Sequence, residues 1–349
     1  MQKKITLIII SFISSVLFIY TLYLTSKISY FYKNGFNRIF PPHFIKNWKV
    51  IDIYKNSYYV AGIDSKSVYL STPTNPTALL LLDYIQNTKK EIQFRISDTN
   101  KIAWRVLKAQ VNSPNFYLTE GLTPTILQGE LNSLNIKRTP LKDTHFIDLI
   151  PLSTSSFILK TYDSVLEQNI LSKNTLHPTD IKKPPNVLEK QIDGLFCVNG
   201  DLHYDDSLSH LVYVYSYRNQ FILLDTNLNI IYKGRTIDTV SRAQIKVSEL
   251  KSGKEKKFVL SSPPLIVNKK SCISNNLLFI QSGLIANNEN RNSFYRKSVI
   301  DIYNLRNGQY KFSFYLPEYK NKKVSDFIVH DGVLIALYDH YLLSLTIDL

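Results

Sequence analysis

The sequence is poor in the residues and motifs that identify the common catalytic and cofactor sites. Only 11 of its 349 residues are glycine, and neither the GxGxxG nor the GxxxxGK[ST] phosphate-binding pattern occurs, which argues against a nucleotide cofactor. No GxSxG motif marks a serine nucleophile. The two cysteines form no CxxC pair, which removes dithiol redox chemistry and the usual zinc frameworks. We therefore expect no cofactor and assign no catalytic residue.

The cysteines themselves leave two alternatives open. In an exported protein Cys197 and Cys272 could form a disulfide that joins two neighbouring structural units. Cys197 lies in an apolar stretch, residues 195–198, that we predict to be a strand, so two buried free thiols are the other alternative.

One stretch carries metal-ligand residue types. His203, Asp205, Asp206 and His210 fall within eight residues, but their spacing matches no metal-binding loop, and Asp205 and Asp206 are typical of a solvated turn. We expect no metal site.

Carboxylates could still meet through the tertiary structure. Asp238, Glu289 and Asp326 are candidates for acid–base catalysis, and the sequence does not show whether any two of them come together.

Basic residues outnumber acidic ones, 42 to 28, which raises the question of an anionic partner. The positive charge is spread along the chain. Its densest cluster, Lys254, Lys256 and Lys257, is interrupted by Glu255 and has no aromatic stacking motif beside it. We therefore expect no nucleic-acid partner.

The amino terminus carries the most specific signal. After a short start, residues 1–4, the uncharged residues 5–26 are long enough as a helix, about 33 Å, to cross a hydrocarbon core. Bulky Tyr20, Leu22 and Tyr23 occupy the place of a small-residue cleavage site, which favours an uncleaved anchor. Lys3 and Lys4 favour a cytoplasmic amino terminus, although basic residues also follow the helix. We predict a single-pass protein of the bacterial inner membrane, with its carboxy-terminal domain in the periplasm.

Residues 27–46 form the predicted juxtamembrane linker. Tyr30, Phe31, Tyr32, Phe36 and Phe40 alternate loosely with basic residues, as in an interfacial collar at headgroup level. A plain linker whose aromatic residues pack on the domain is the alternative.

From residue 47 to the end the pattern is that of short β-strands. The clearest stretch is 194–238, in which LVYVYSY (211–217) and QFILLD (220–225) read as paired strands, and Asn199-Gly200 suggests a tight hairpin turn. Residues 48–54, 57–63, 67–72, 78–84 and 90–96 are also strand-like. Residues 176–189, rich in proline, are predicted to be a loop.

The four-strand unit recurs every 40–60 residues, which predicts an all-β propeller. We place six units at 57–96, 102–138, 145–185, 192–238, 243–317 and 324–349, with seven blades or a pair of β-sandwiches as alternatives. The last unit is one strand short, and residues 48–54 have no partner within the first unit. We therefore predict that this amino-terminal strand completes the final blade and closes the ring.

A family resemblance supports this architecture. The runs LVYVYSYRNQFILLD (211–225), TID (236–238), VIDIYNL and YKFSFYLP (within 299–317) resemble the membrane-anchored, TolB-like propeller proteins of bacterial cell envelopes, a family without an assigned function. The likeness is one of pattern over most of residues 48–349. It implies a propeller in the cell envelope and brings no catalytic residue with it.

Two surfaces are candidates for recognition. Tyr215, Tyr217, Arg218 and Asn219 combine aromatic rings with a cation at the end of a strand, a combination favoured at interfaces, although alternate tyrosines of this strand could pack between blades instead. Asn288 and Glu289 lie in a long polar loop, which could equally be an ordinary insertion. We expect a non-enzymatic binding or assembly module for an envelope protein or ligand. The alternative is a lactonase-like hydrolase with a metal or carboxylate cluster in the central channel.

Overall fold

The computed structural model describes residues 2–29, 34–97, 102–141, 144–176, 179–252 and 255–349. Helix α1 (Gln2–Ser29) comes first, and its segment Lys4–Tyr23, with a mean hydropathy of 2.4, is long and apolar enough to span a membrane. Tyr30, Phe31 and Tyr32 of the predicted collar lie outside the described residues, as does Lys254 of the basic cluster.

The rest of the chain forms a six-bladed β-propeller, in which each blade is a four-stranded antiparallel sheet. Strand β1 (Ile45–Asp52) precedes the first blade. Blades one to three follow as β2 (Tyr59–Ile63), β3 (Ser67–Thr72), β4 (Asn75–Asp83), β5 (Thr88–Gln93); β6 (Lys108–Asn112), β7 (Asn115–Glu120), β8 (Thr125–Glu130), β9 (Lys137–Pro140); and β10 (Asp148–Pro151), β11 (Ser156–Asp163), β12 (Gln168–Leu176), β13 (Thr179–Lys182). A short 3₁₀ helix, Trp104–Val106, lies between blades one and two.

Blades four to six complete the ring. Their strands are β14 (Gly200–Asp205), β15 (His210–Tyr215), β16 (Phe221–Asp225), β17 (Ile230–Gly234); β20 (Asn268–Ser274), β21 (Leu277–Ser282), β22 (Val299–Asn304), β23 (Tyr310–Tyr315); and β24 (Asp326–His330), β25 (Val333–Tyr338), β26 (Tyr341–Ile347). A separate hairpin, β18 (Val247–Ser252) and β19 (Glu255–Leu260), follows blade four, and helix α2 (Arg291–Arg296) lies between β21 and β22. The six-bladed propeller predicted from the repeat is thus confirmed.

The ring closes through the amino-terminal strand. Strand β1 pairs antiparallel with β26, from Ile45 opposite Ile347 to Asp52 opposite Tyr341, and so becomes the outermost strand of blade six. The prediction that this strand completes the final blade is confirmed. Closure of this kind removes two sheet edges that would otherwise be exposed.

The core consists of layers of side chains between neighbouring blades. In β15, Leu211, Tyr213 and Tyr215 pack into a cluster with blade three, whereas Val212 and Val214 face the other way and pack with blade five. Because both faces of each blade are covered, the strands are apolar on both sides. This explains why runs such as LVYVY lack the polar alternation of a half-exposed sheet.

Three local predictions were wrong. Asn199-Gly200 is not a hairpin turn, because Gly200 is the first residue of β14, which pairs with β15. In the predicted loop 176–189, Thr179–Lys182 forms β13, which pairs with β12 as the outer strand of blade three. In the predicted strand 195–198, the chain instead turns around Asp193, whose Oδ1 accepts hydrogen bonds from the backbone N–H groups of Leu195 at 2.7 Å and Phe196 at 2.5 Å. A carboxylate that satisfies consecutive backbone donors favours a turn over an apolar strand.

Candidate functional site at the central channel

The innermost strands of the six blades surround a central cavity of about 490 Å³. These strands run in the same direction around the axis, so that their first residues meet at one end of the cavity. We call this end the channel mouth, and its polar side chains are Tyr59, Lys108, Asp148, Asp201, Lys270 and Asp326. Five of the six blades contribute a charged residue, and blade one contributes the tyrosine.

Each of the two lysines at this mouth has an aspartate on a neighbouring blade. Lys108 Nζ lies 3.3 Å from Asp148 Oδ1, and Lys270 Nζ lies 4.0 Å from Asp326 Oδ1. The Lys270 side chain is 49% exposed and that of Asp326 18%, so solvent still reaches both groups. The pKa of Lys108 is raised, chiefly by the charge of Asp148. The mouth therefore presents accessible charges of both signs within one cavity.

A third lysine lies behind this ring. Lys160, on β11, is only 3% exposed, and its Nζ donates a hydrogen bond to Asn199 Oδ1 at 2.9 Å. Burial lowers its pKa to about 8, although the charges of Asp148 and Asp201 act in the opposite direction. The charged form of Lys160 therefore destabilises the folded state, because the free-energy cost of desolvating its ammonium group exceeds the gain from its attraction to the two carboxylates.

Asp326 and Asp201 accept hydrogen bonds from different donors on the neighbouring blade. Asp326 Oδ2 accepts a hydrogen bond from the backbone N–H of Val60 at 3.0 Å, and burial raises the pKa of its carboxyl group. Asp201 Oδ2 accepts from both the backbone N–H of Ser271, at 3.1 Å, and its hydroxyl, at 3.2 Å. Both carboxylates thus connect innermost strands of neighbouring blades.

Ser271 has a second polar neighbour. Its Oγ lies 2.7 Å from Nε2 of His203, and burial lowers the pKa of this histidine. The hydroxyl of Ser271 has one proton and donates it either to Asp201 or to His203. When a neutral imidazole accepts it, the contact is the one that a general base makes with a serine nucleophile. The hydrogen bonds of Asp201 go to Ser271, so the order of groups differs from that of a Ser-His-Asp triad.

The predicted binding residues of blade four lie in the interior. Arg218 is fully buried, with its guanidinium 3.6 Å from the centre of the Tyr215 ring and its Nη1 donating to the Glu189 carbonyl at 3.0 Å. Its Nη2 has no hydrogen-bond partner. Asn219 donates to the Asp238 carbonyl at 2.6 Å, and Tyr217 is also buried. Binding by these residues stays a prediction, and a partner would reach them only if the turn opened.

Asn288 and Glu289 contact the chain's own linker. Asn288 Oδ1 accepts from the backbone N–H of Arg38 at 3.0 Å, and its Nδ2 donates to the Arg38 carbonyl at 2.8 Å. Glu289 forms a buried ion pair with Arg38 Nη1 and accepts from the Tyr315 hydroxyl. Arg38 also binds Asp301 through Nε at 2.7 Å and Nη2 at 2.9 Å. The polar loop thus fastens residues 34–44 to blade five.

The two cysteines do not form the disulfide considered above. Both are free and buried, in different core clusters, Cys197 beside blade four and Cys272 between blades five and six. The structure therefore agrees with the other alternative, two buried free thiols.

The other candidate acids and metal ligands are dispersed. Of the three carboxylates proposed for acid–base work, Asp326 faces the channel, Glu289 binds Arg38, and Asp238 accepts from the backbone N–H of Val240 at 2.9 Å. Within the described ranges, no group of three or more His, Cys, Asp or Glu side chains could hold a metal.

The charged residues of the channel mouth were not predicted as a site from the sequence. Lys108, Asp148 and Asp326 each occupy the first position of an innermost strand, and Asp201 and Lys270 lie within the first three. A charged residue at the start of the first strand of successive units is the signal that could have revealed it.

Comparison with known proteins supports the fold alone. No protein-family model matches the chain, and no curated protein matches its sequence. A solved structure of a DUF4221 family member from Bacteroides vulgatus is similar, with a TM-score of 0.55 and 11% identity over 90% of this chain and 99% of that one. The propeller domain of Cps50 (Swd1) from Myceliophteria thermophila matches 86% of this chain and 100% of its own at 8% identity, with a TM-score of 0.44.

Proposed function

We propose that the protein is a membrane-tethered β-propeller that acts outside the cytoplasm as a non-enzymatic binding or assembly module. The apolar helix α1 and the six-bladed fold support this proposal, as does the resemblance to TolB-like envelope proteins. The helix lies in the bacterial inner membrane and the propeller in the periplasm, an orientation favoured by Lys3 and Lys4. Protease added to intact spheroplasts should therefore digest the propeller, and protection from digestion would contradict this placement.

The observation that carries the binding function is that two lysines and three aspartates lie together around the channel mouth. A cavity of about 490 Å³ is in the size range of small-ligand sites. A ligand with one negative and one positive group can contact an ammonium and a carboxylate at once, whereas a purely anionic ligand meets repulsion from the three aspartates and a purely cationic one from the two lysines. The loose contact of 4.0 Å between Lys270 and Asp326 leaves these charges ready to exchange partners. The ligand class is therefore a short zwitterion such as a free peptide.

Thermal unfolding of the full chain in detergent, with alanyl-alanine as the probe, tests this site. A ligand that binds the folded state raises the unfolding temperature in proportion to ln(1 + [L]/Kd). The zwitterionic dipeptide should raise it, and the same dipeptide with acetylated and amidated ends should not.

A matched pair of double variants locates the effect. Lys270→Gln with Asp326→Asn should abolish the response, because it removes the loosely paired ammonium and carboxylate that would exchange partners with the ligand. Lys46→Gln with Asp348→Asn removes an exposed pair, 3.1 Å apart, far from the channel and should leave the response intact. Equal responses to free and blocked dipeptide, or no response to either, would refute the zwitterion site.

The contact between Ser271 and His203 favours a second function, ester or lactone hydrolysis in the same channel. His203 Nε2 would take the hydroxyl proton as Ser271 Oγ attacks the carbonyl carbon, the alcohol would leave with that proton, and water would then release the acyl group. Hydrolysis of p-nitrophenyl acetate that is lost in both Ser271→Ala and His203→Gln would support it. Unchanged hydrolysis in the two variants would exclude this mechanism.

A further inference from the structure

We propose that the end of the propeller that carries the channel mouth lies against an anionic lipid surface, which it contacts through Lys269, Arg291, Tyr295 and Lys323. We call these four residues the basic–aromatic patch. The inference rests on the proposed membrane anchoring and adds to it an orientation and a lipid-binding surface.

The first step of the argument is that the linker is held to this end of the propeller. The Nδ2 of Asn34 donates to the Ile285 carbonyl at 2.7 Å, and the Asn34 carbonyl accepts from Thr239 Oγ1 at 2.9 Å. Ile285 lies in the loop between the second and third strands of blade five, and Thr239 follows the last strand of blade four. In an antiparallel four-stranded blade both kinds of connection lie at the end where the innermost strand begins, which is the end of the channel mouth.

The second step is that the linker is strongly fixed there. Phe36 packs in a small core with Val267, Leu284 and Ala286. Two residues later, Arg38 is buried between two carboxylates, Glu289 and Asp301, as described above. Breaking a buried ion pair is strongly destabilising, because it leaves an uncompensated charge in the interior. The attachment point therefore stays on the propeller while the protein is folded.

The third step is the length of the tether. The apolar stretch ends at Tyr23, and the helix continues to Ser29. Six further helical residues add roughly 9 Å at 1.5 Å each, and the five steps from Ser29 to Asn34 span at most about 18 Å. Asn34 thus lies no more than about 27 Å from the hydrocarbon edge, of which the headgroup layer occupies about 5–8 Å. The end that carries Asn34 is held close to the headgroups.

The fourth step is the chemistry of the surface at this end. Tyr295, on α2, is 54% exposed, with Arg291 Cζ 5.4 Å and Lys323 Nζ 5.9 Å from its ring centre. Lys269 lies near Lys323, and its pKa is lowered by partial burial of its ammonium group and by the charge of Lys323. The neighbouring Arg296 forms an ion pair with Glu318 at 2.8 Å. An exposed tyrosine among cations suits the membrane interface, and each cation near an anionic lipid surface adds to the electrostatic attraction.

The experiment places reporters at both ends of blade five in the full-length protein. Cysteine replaces Tyr295 or Asn292 at the patch, and Arg306, in the exposed turn between β22 and β23, at the opposite end. Each variant is labelled with bimane, which the two buried native thiols should not take up. The proteins are placed in nanodiscs of phosphatidylglycerol and phosphatidylcholine that contain a lipid with a nitroxide on its headgroup. Most of the fluorescence should be lost at positions 295 and 292, and none at position 306.

Two further measurements distinguish the possible outcomes. One is the dependence of quenching on protein and lipid charge, and the other is the resistance of the chain to carbonate extraction. Lys323→Glu, or discs of phosphatidylcholine alone, should reduce quenching at position 292, whereas Lys49→Glu, an exposed change on β1, should leave it unaltered. Equal quenching at both ends of a chain that resists alkaline carbonate extraction would overturn the orientation and leave the anchor in place. Extraction of the chain by carbonate would overturn the anchor and, with it, the lipid contact.

Discussion

Replacing the buried Lys160 by methionine should make the protein more stable at neutral pH. Burial lowers the pKa of this lysine from 10.5 to about 8. At roughly 1.4 kcal/mol for each pH unit between the two values, holding the charged form in the folded state costs about 3 kcal/mol at pH 7. Methionine has a similar length and no charge, but it removes the hydrogen bond to Asn199, worth about 1 kcal/mol. We expect a net gain of about 2 kcal/mol.

The stability difference between Lys160→Met and the wild-type protein should depend on pH. Between pH 8 and 10.5 the unfolded chain binds a proton at Lys160 that the folded protein has released, so the wild-type protein gains stability from this residue as the pH rises. The variant has no such group. Its advantage should therefore shrink by about 2 kcal/mol between pH 7 and pH 9.5.

Urea unfolding of the full chain in detergent, followed by tryptophan fluorescence, measures both effects. Lys90→Met, an exposed change on β5, serves as the control and should change stability by less than about 0.5 kcal/mol at either pH. A loss of stability in Lys160→Met at pH 7 would refute the reasoning. It would show that the attraction of the Lys160 ammonium to Asp148 and Asp201 stabilises the folded state by more than its desolvation destabilises it.

Three further substitutions test the attachments that hold the ring together. Arg38→Ala should destabilise the propeller by about 3–5 kcal/mol, because it leaves Asp301 and Glu289 buried without their cation. Ile51→Ala should cost about 2–5 kcal/mol, since Ile51 is buried in the core that β1 completes. Gly62→Ala should cost about 1–3 kcal/mol, because its Cβ would lie 2.2 Å from a backbone carbonyl oxygen of β6 and would force two innermost strands apart. Each value follows from the shift of the urea midpoint.

Two exposed changes provide the controls for these three. Arg296→Ala breaks a surface ion pair with Glu318, and Trp48→Ala removes a half-exposed ring from β1. Each should cost less than about 1 kcal/mol. If Arg38→Ala and Ile51→Ala cost no more than these controls, the linker and β1 do not stabilise the ring.

The strands were the most predictable part of the fold. Residues 67–72 were predicted as a strand and form β3, because β-branched and aromatic residues in a short run fit a pleated surface covered on both faces. The closing strand was also predictable, since a final unit with three strands needs a fourth. The strand predicted at 195–198 failed because a single side chain, Asp193, binds the backbone there, and side-chain capping is invisible to a hydropathy pattern.

The candidate sites were far less predictable. Arg218 has the composition of an interface anchor, yet it is buried against Tyr215, and the exposure of a side chain depends on the loops that cover it. The charges of the channel mouth are separated by tens of residues, and only the circular arrangement of the blades brings Lys108 beside Asp148 and Lys270 beside Asp326.

The sequence by itself determined the apolar helix, the repeating β unit and the strand that closes the ring, and it favoured six blades while leaving seven open. Each of these depends on local propensity and on the need of a strand for a partner, which are properties of short segments. The tertiary structure alone decided that Glu289 binds Arg38, that Arg218 is buried, and that acidic and basic residues from five blades share one cavity. Those contacts join residues from distant parts of the chain, and their energies exist only once closure of the ring has fixed the distances between them.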